Sequence, residues 1–222
     1  MPETAAPASS ADQTPDDAGL VERARGGDAG AWGSLLMKHE PRLLRMVAFR
    51  LDARLHGRVD AADVVQEAFV AAAEHREDYF RVAGLPLFLW LRGVVGNKML
   101  EVHRHHLGTQ RRDAGRDIPL YRPSPDETSA SMAAHLSAHI TRPSVAAARD
   151  EASATLRKAL DGMEETDREV LAMRHFEQLT NAEAAQVLGI QERAAAKRYL
   201  RALKRLKDIL AEMPGGLTGL RP

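Results

Sequence analysis

Between Thr166 and Lys207 the chain reads TDREVLAMRHFEQLTNAEAAQVLGIQERAAAKRYLRALKRLK, and no other stretch constrains the fold as much. Thr166 stands three residues before Glu169, and Thr180 three before Glu183. That is capping-box spacing, in which hydroxyl and carboxylate satisfy free amides at a helix start. Val170, Leu171, Met173, Arg174 and Phe176 suit a first helix with one buried face. A short second helix over 180–188 follows, Gly189 supplies the turn, and Ile190 begins a third segment. Ala185, four before Gly189, is small where two helices must cross closely. This is the spacing of a helix-turn-helix, which places its last helix in the major groove of DNA.

That last helix is two-sided. Tyr199, Leu203, Leu206 and Leu210 form an apolar stripe, and Arg193, Lys197, Arg201 and Lys204 recur on the opposite side. Residues 191–207 carry seven basic side chains and one acid, while the 222-residue chain has a formal net charge of zero. The cations are therefore segregated here, as a local phosphate-binding surface requires. Gln191, Glu192, Arg193 and Lys197 are the candidates for base edges, where Arg or Lys prefers guanine and Gln prefers adenine. Thr180, Arg198, Arg201 and Lys204 complete the candidate DNA-binding set. A solvated basic face on a core helix is the plainer alternative. One such domain binds weakly, so a second DNA contact or a partner is expected.

The rest of the chain narrows the class. It has no cysteine, which excludes disulfides and thiol nucleophiles and fits a reducing cytoplasm. No apolar run approaches the roughly 20 residues of a membrane span, and the N-terminus lacks the pattern of a secretory signal. A cytoplasmic protein without a membrane contact is predicted. No phosphate-cradling glycine loop with its lysine is present. His103, His105 and His106 cluster, and His135 and His139 lie four apart, but no acid completes a metalloprotease pattern. Neither an enzyme, a metal site nor a cofactor is expected.

Residues 1–18 are read as a disordered acidic tail. Helical patterning fills a first domain over 19–107, with breaks at Gly26–Gly27, near Gly57 and at 83–86. Residues 108–143 lose periodicity and hold Pro119, Pro123, Pro125 and Pro143, so they are read as a linker. A second helical domain spans 144–213, and 214–222 form a tail. The predicted fold is all-α: two small helical domains joined by a flexible linker.

In the first domain Asp60 can cap a helix continuing through 63–80. Val64, Ala68, Ala71 and Ala72 can face inward, leaving Asp63, Gln66 and Glu67 as a polar, partly acidic patch. A helix over 87–106 then mixes Phe88 and Trp90 with Arg92, Asn97, Lys98 and Arg104. Aromatics beside cations can hold unstacked bases, at about 1–3 kcal/mol per base. Trp90, Leu91, Val94 and Val95 equally suit a core.

The order of these parts resembles the extracytoplasmic-function group of the sigma-70 family, the small sigma factors of bacterial RNA polymerase. DVVQEAF looks like the family's Asp-x-x-Gln-(Glu/Asp)-x-Phe segment of region 2. FLWLRGVVGNKMLEVHR places Trp90, Leu91, Asn97, Glu101 and Arg104 on the family's Trp-Leu-x-x-x-x-x-Asn, acid and arginine positions; Asp is commoner where Glu101 stands. The 166–190 segment looks like region 4. The resemblance implies a region 2 helical bundle over 19–107 and a region 4 helix-turn-helix over 144–213. It implies docking of Asp63, Val64, Gln66 and Glu67 on the clamp helices of the largest subunit of core RNA polymerase. It implies contact of Tyr79, Phe80, Trp90, Arg92, Asn97, Lys98 and Arg104 with the melted −10 element, and of the C-terminal set with the −35 element. Promoter DNA and core polymerase are thus the expected partners, an anti-sigma factor is a further one, and the free protein is expected to be a monomer. Where many relatives carry Gly-Thr-Val-Lys-Ser, this chain has Arg193, Ala194, Ala195, Ala196 and Lys197. The nearest alternative is a helix-turn-helix transcription regulator without sigma activity. It would need an input domain, and no strand-like runs precede Gly108. A helical adaptor without DNA binding is the remaining alternative.

Overall fold

The structure, a computed structural model, describes residues 15–82, 84–107, 125–140 and 146–212. Among them the regular structure is helical, apart from a single bridge pair between His56 and Val59. The chain divides into two units. Unit 1 draws on Met1–Leu44 and Ala62–Tyr121, and unit 2 on Arg45–Ala61 and Arg122–Pro222.

Unit 1 contains α1 (Pro15–Arg25), most of α2 (Ala29–Arg50), α3 (Ala61–Glu74), α4 (Arg76–Arg81) and α5 (Leu87–Leu107). The break at Gly26–Gly27 occurs as expected: Gly27 sits at φ 100°, a conformation glycine adopts without steric cost. Asp28 then starts α2, its Oδ1 accepting from the Ala31 amide at 3.0 Å while Arg23 grips Oδ2 at 2.6 Å. That amide first, and Arg23 second, hold the Asp28 carboxyl below the usual aspartate range. Trp32, Leu35, Leu36 and Leu43 of α2 are buried, as are Val64, Val65, Ala68, Phe69 and Ala72 of α3. From residue 87 to residue 96 every position of α5 is buried. Apart from Arg92 this segment is apolar on all sides, as in a helix inside a bundle, which is why it shows no single stripe in the sequence. The helix expected over 63–80 is interrupted at His75 (φ −101°, ψ 21°), which separates α3 from α4.

Unit 2 contains α6 (Pro125–Ile140), α7 (Ala146–Asp161), α8 (Glu165–Leu171), α9 (Asn181–Leu188) and α10 (Glu192–Glu212). Two findings depart from the expected boundaries. First, α6 lies inside the stretch read as linker. Its Met132, Ala133 and Leu136 join Leu156, Leu160, Leu206, Ile209 and Leu210 in one core. Burying a side chain of Leu or Met size contributes about 1.5–3 kcal/mol, enough to hold a helix whose own Ser/Ala-rich sequence signals little. The remaining linker residues, the end tail and residues 1–14 lie outside the described residues, and 15–18 already belong to α1.

Second, the last turns of α2 and the loop after them belong to unit 2 rather than to a first domain over 19–107. Phe49 stacks on Phe176 with ring centroids 4.6 Å apart. Arg50 is buried, donating from Nε to Glu177 (2.7 Å), from Nη2 to Glu169 (2.7 Å) and from Nη1 to the Thr128 hydroxyl (2.8 Å). Thr128 in turn donates to Glu169 at 2.7 Å. Glu169 is therefore occupied in the interior. The capping box expected between Thr166 and Glu169 does not form: α8 starts two residues earlier than that cap would place it, with Glu164 in the capping place and no side-chain cap.

Candidate nucleic-acid interface

The second expected capping box is present. Thr180 Oγ1 accepts from the Glu183 amide at 3.1 Å, and Glu183 accepts from the Thr180 amide at 2.7 Å. α9 therefore starts where the sequence places it. It ends at Gly189, whose φ of 66° is the left-handed conformation of a helix C-terminus. The Ile190 amide closes the turn on the Ala185 carbonyl at 3.0 Å. Ala184, Ala185 and Val187 are buried, and α10 packs against both α8 and α9. Ahead of α9, α8 widens into a five-residue π turn (Ala172–Phe176), and Arg174 donates to the Leu179 carbonyl across the following loop.

α10 is the two-sided helix the sequence describes. Ala195, Ala202, Leu206, Ile209 and Leu210 are buried, and Tyr199 and Leu203 half-buried. Gln191, Glu192, Arg193, Lys197 and Lys204 are exposed. The other three candidates are engaged. Thr180 is half-buried and serves as the cap. Arg198 donates to Glu164 at 2.5 Å and Asp167 at 3.0 Å, and Arg201 to Asp167 at 2.6 Å and Glu164 at 3.0 Å. Burial works against ionisation of Asp167, but the hydrogen bonds from Arg201 and then Arg198 outweigh it, and its carboxyl is held below the usual range. Both guanidinium groups are correspondingly held in their charged form. Glu164 and Asp167 were not singled out in the sequence. Only their position 31 to 37 residues upstream, on a helix folded against α10, makes them partners.

In unit 1, Asp63, Gln66 and Glu67 are exposed along α3, and Gln66 donates to Glu40 of α2 at 3.2 Å. Val64 points inward and is buried, so it offers no docking surface. The sequence reading passed over Val70, which is 62% exposed on the same face, seven residues after Asp63. Lys98 of α5 donates to Glu101 at 2.8 Å, and that bond, with the nearby charges of Glu101, Glu67 and Glu74, favours its charged form against a partial burial cost.

The aromatics are mostly interior. Trp90 is 1% exposed, Arg92 is buried, and Tyr79 is 9% exposed. Trp90 lies 5.6 Å from Tyr79 and 6.0 Å from Trp32, ring centre to ring centre. Burial also raises the Tyr79 hydroxyl above its ordinary pKa. In this conformation Trp90, Arg92 and Tyr79 present no platform to a base, contrary to the expectation that all three contact DNA. Phe80 stays half-open, its ring 5.4 Å from the Arg25 guanidinium. Asn97 and Lys98 are half-buried and Arg104 exposed. No group of three or more His, Asp or Glu side chains among the described residues could hold a metal, and no helix there could cross a membrane.

Residues 153–206, which run from the second half of α7 through most of α10, match the family described as Sigma-70, region 4. Over 194 residues the chain is 25% identical to the RNA polymerase sigma-H factor of Pseudomonas aeruginosa, covering 87% of this chain and 93% of that protein. Among solved structures, CnrH in complex with the cytosolic domain of CnrY is similar with a TM-score of 0.49 and 26% identity, covering 89% of this chain and 99% of that one.

Proposed function

The chain belongs to the sigma-70 family, in the extracytoplasmic-function group its motifs resemble, and from that premise we propose how its residues bind core RNA polymerase and direct initiation at promoters. One observation carries this reading. The residues matched to region 4 fold into a capped helix, a glycine turn and a helix with Arg193, Lys197 and Lys204 exposed. These cations hold phosphates of the −35 element, and Gln191 and Glu192 at the helix start approach base edges.

Asp63, Gln66, Glu67 and the exposed Val70 form the docking face for the clamp helices of the largest subunit. Phe80, Asn97, Lys98 and Arg104 are the residues through which unit 1 meets the −10 element. Opening DNA costs about 1.4 kcal/mol per stacking step, and one half-open aromatic at about 1–3 kcal/mol per stacked base offsets few of them. The polymerase must therefore supply the rest of the channel. The family is one of transcription subunits, and no catalytic step falls to this chain. It works in the cytoplasm, as a monomer when free, with an anti-sigma protein as a further partner.

The test is run-off transcription with core polymerase over genomic fragments. Initiation at a discrete set of sites, dependent on the added protein, is expected. Absence of core binding together with absence of redirected initiation would overturn the reading in favour of a regulator without sigma activity.

A further inference from the structure

We propose that Leu200 reads the methyl group of a thymine in the upstream promoter element and so helps set which promoters are chosen. This rests on the reading of α10 as the helix that enters DNA. Leu200 is 67% exposed, the most exposed of the four exposed large hydrophobics among the described residues and the one that lies in unit 2.

Its surroundings give that exposure a meaning. Arg193, Lys197, Leu200, Lys204 and Lys207 follow steps of four, three, four and three, and all five are exposed. At 3.6 residues per turn they fall within an arc of about 80°, with Leu200 near its middle. The buried Ala195, Ala202 and Leu206 lie on the opposite side. Along the axis Leu200 stands about 4.5 Å from Lys197 and about 6 Å from Lys204. Arg198 and Arg201 lie outside this row by their helical position, and Glu164 and Asp167 engage both. The outcome is an isobutyl group flanked by four cations, with no acid in the row.

A surface of that composition suits a polyanion with an apolar feature between its charges. Phosphates flank the major groove, and the thymine C5 methyl is the apolar group on its floor. Lysine or arginine at this position would seek guanine; leucine has only apolar surface to offer.

The experiment uses holoenzyme formed from the full chain and core polymerase. Promoters are selected from a pool randomised upstream, and deoxyuridine, which lacks the methyl, then replaces each thymine in turn. One or two replacements are expected to lower open-complex formation about fourfold, the effect of one buried carbon. With Leu200→Ala those penalties should vanish, and Leu200→Arg should shift selection at that position toward guanine. Leu200 is exposed, so both variants should keep the helical signal of the parent. The inference is overturned if the selected element lacks thymine, if every deoxyuridine is neutral, or if the penalty persists in Leu200→Ala. It is also overturned if Leu200→Ala weakens core binding in the absence of DNA while the methyl penalty stays. A holoenzyme that selects no promoter at all would instead sink the sigma-factor reading.

Discussion

The two surfaces expected to meet DNA are in opposite states. On α10, Arg193, Lys197 and Lys204 are exposed on a helix whose entry is set by a formed cap and a left-handed glycine. On α4 and α5, Trp90, Tyr79 and Arg92 sit inside unit 1. A lysine can stay solvated until a phosphate arrives, because water stabilises its charge. A bare aromatic cannot wait in the same way: its surface is driven into the nearest core. On the proposed reading, the cationic surface is therefore ready in the free protein, the aromatic one is largely folded away, and strand opening would depend on what the polymerase does to unit 1.

That contrast can be broken in several places. The largest effect belongs to the interior aromatics. Trp90→Ala should destabilise by about 3–5 kcal/mol in urea unfolding, as for other fully buried large side chains. Phe80→Ala should cost far less stability while reducing open-complex formation. If Trp90→Ala proves stable but defective in DNA opening, Trp90 is a stacking platform after all. On the C-terminal side, Thr180→Ala should cost about 1 kcal/mol through loss of the α9 cap, and Thr166→Ala much less, because no cap forms there.

Two finer tests concern the pinned arginines. Lys197→Ala should flatten the dependence of log K on log salt by about 0.9. Glu164→Gln combined with Asp167→Asn, by removing both carboxylates that hold Arg198 and Arg201, should steepen it by up to a similar amount for each arginine that reaches a phosphate. An unchanged slope in that double variant would mean that both stay off DNA. The pH test is the smallest. The Asp167 carboxyl is held low in the folded protein, so its contribution is complete above the unfolded value of about 3.9 and is lost as pH falls below that toward the folded value. Acid unfolding of Asp167→Asn should lack this part of the decline, while the two proteins differ by a constant amount near neutral pH.

Local chemistry was legible where all its partners lie within one turn. Thr180 and Glu183 find each other because a helix start brings residues three apart together, and Gly189 stops α9 by its own backbone freedom. The same three-residue pattern at Thr166 misled, because Glu169 is claimed by Arg50, 119 residues away in sequence, and by Thr128. α6 escaped notice for a related reason: its Met132, Ala133 and Leu136 make a helix worth forming only once α7 and α10 supply a core. Val64 shows the same limit in reverse, as an apolar member of a polar motif that folding turns inward.

The residues alone thus determined the helical class, the cap and turn of the reading motif, and the cationic face of α10. Each depends on periodicity, capping or charge within a few residues. Packing decided which arginines stay available, which aromatics are core, and where α2 ends its allegiance to unit 1. Those outcomes rest on contacts between segments 30 to more than 100 residues apart, whose geometry no local pattern encodes.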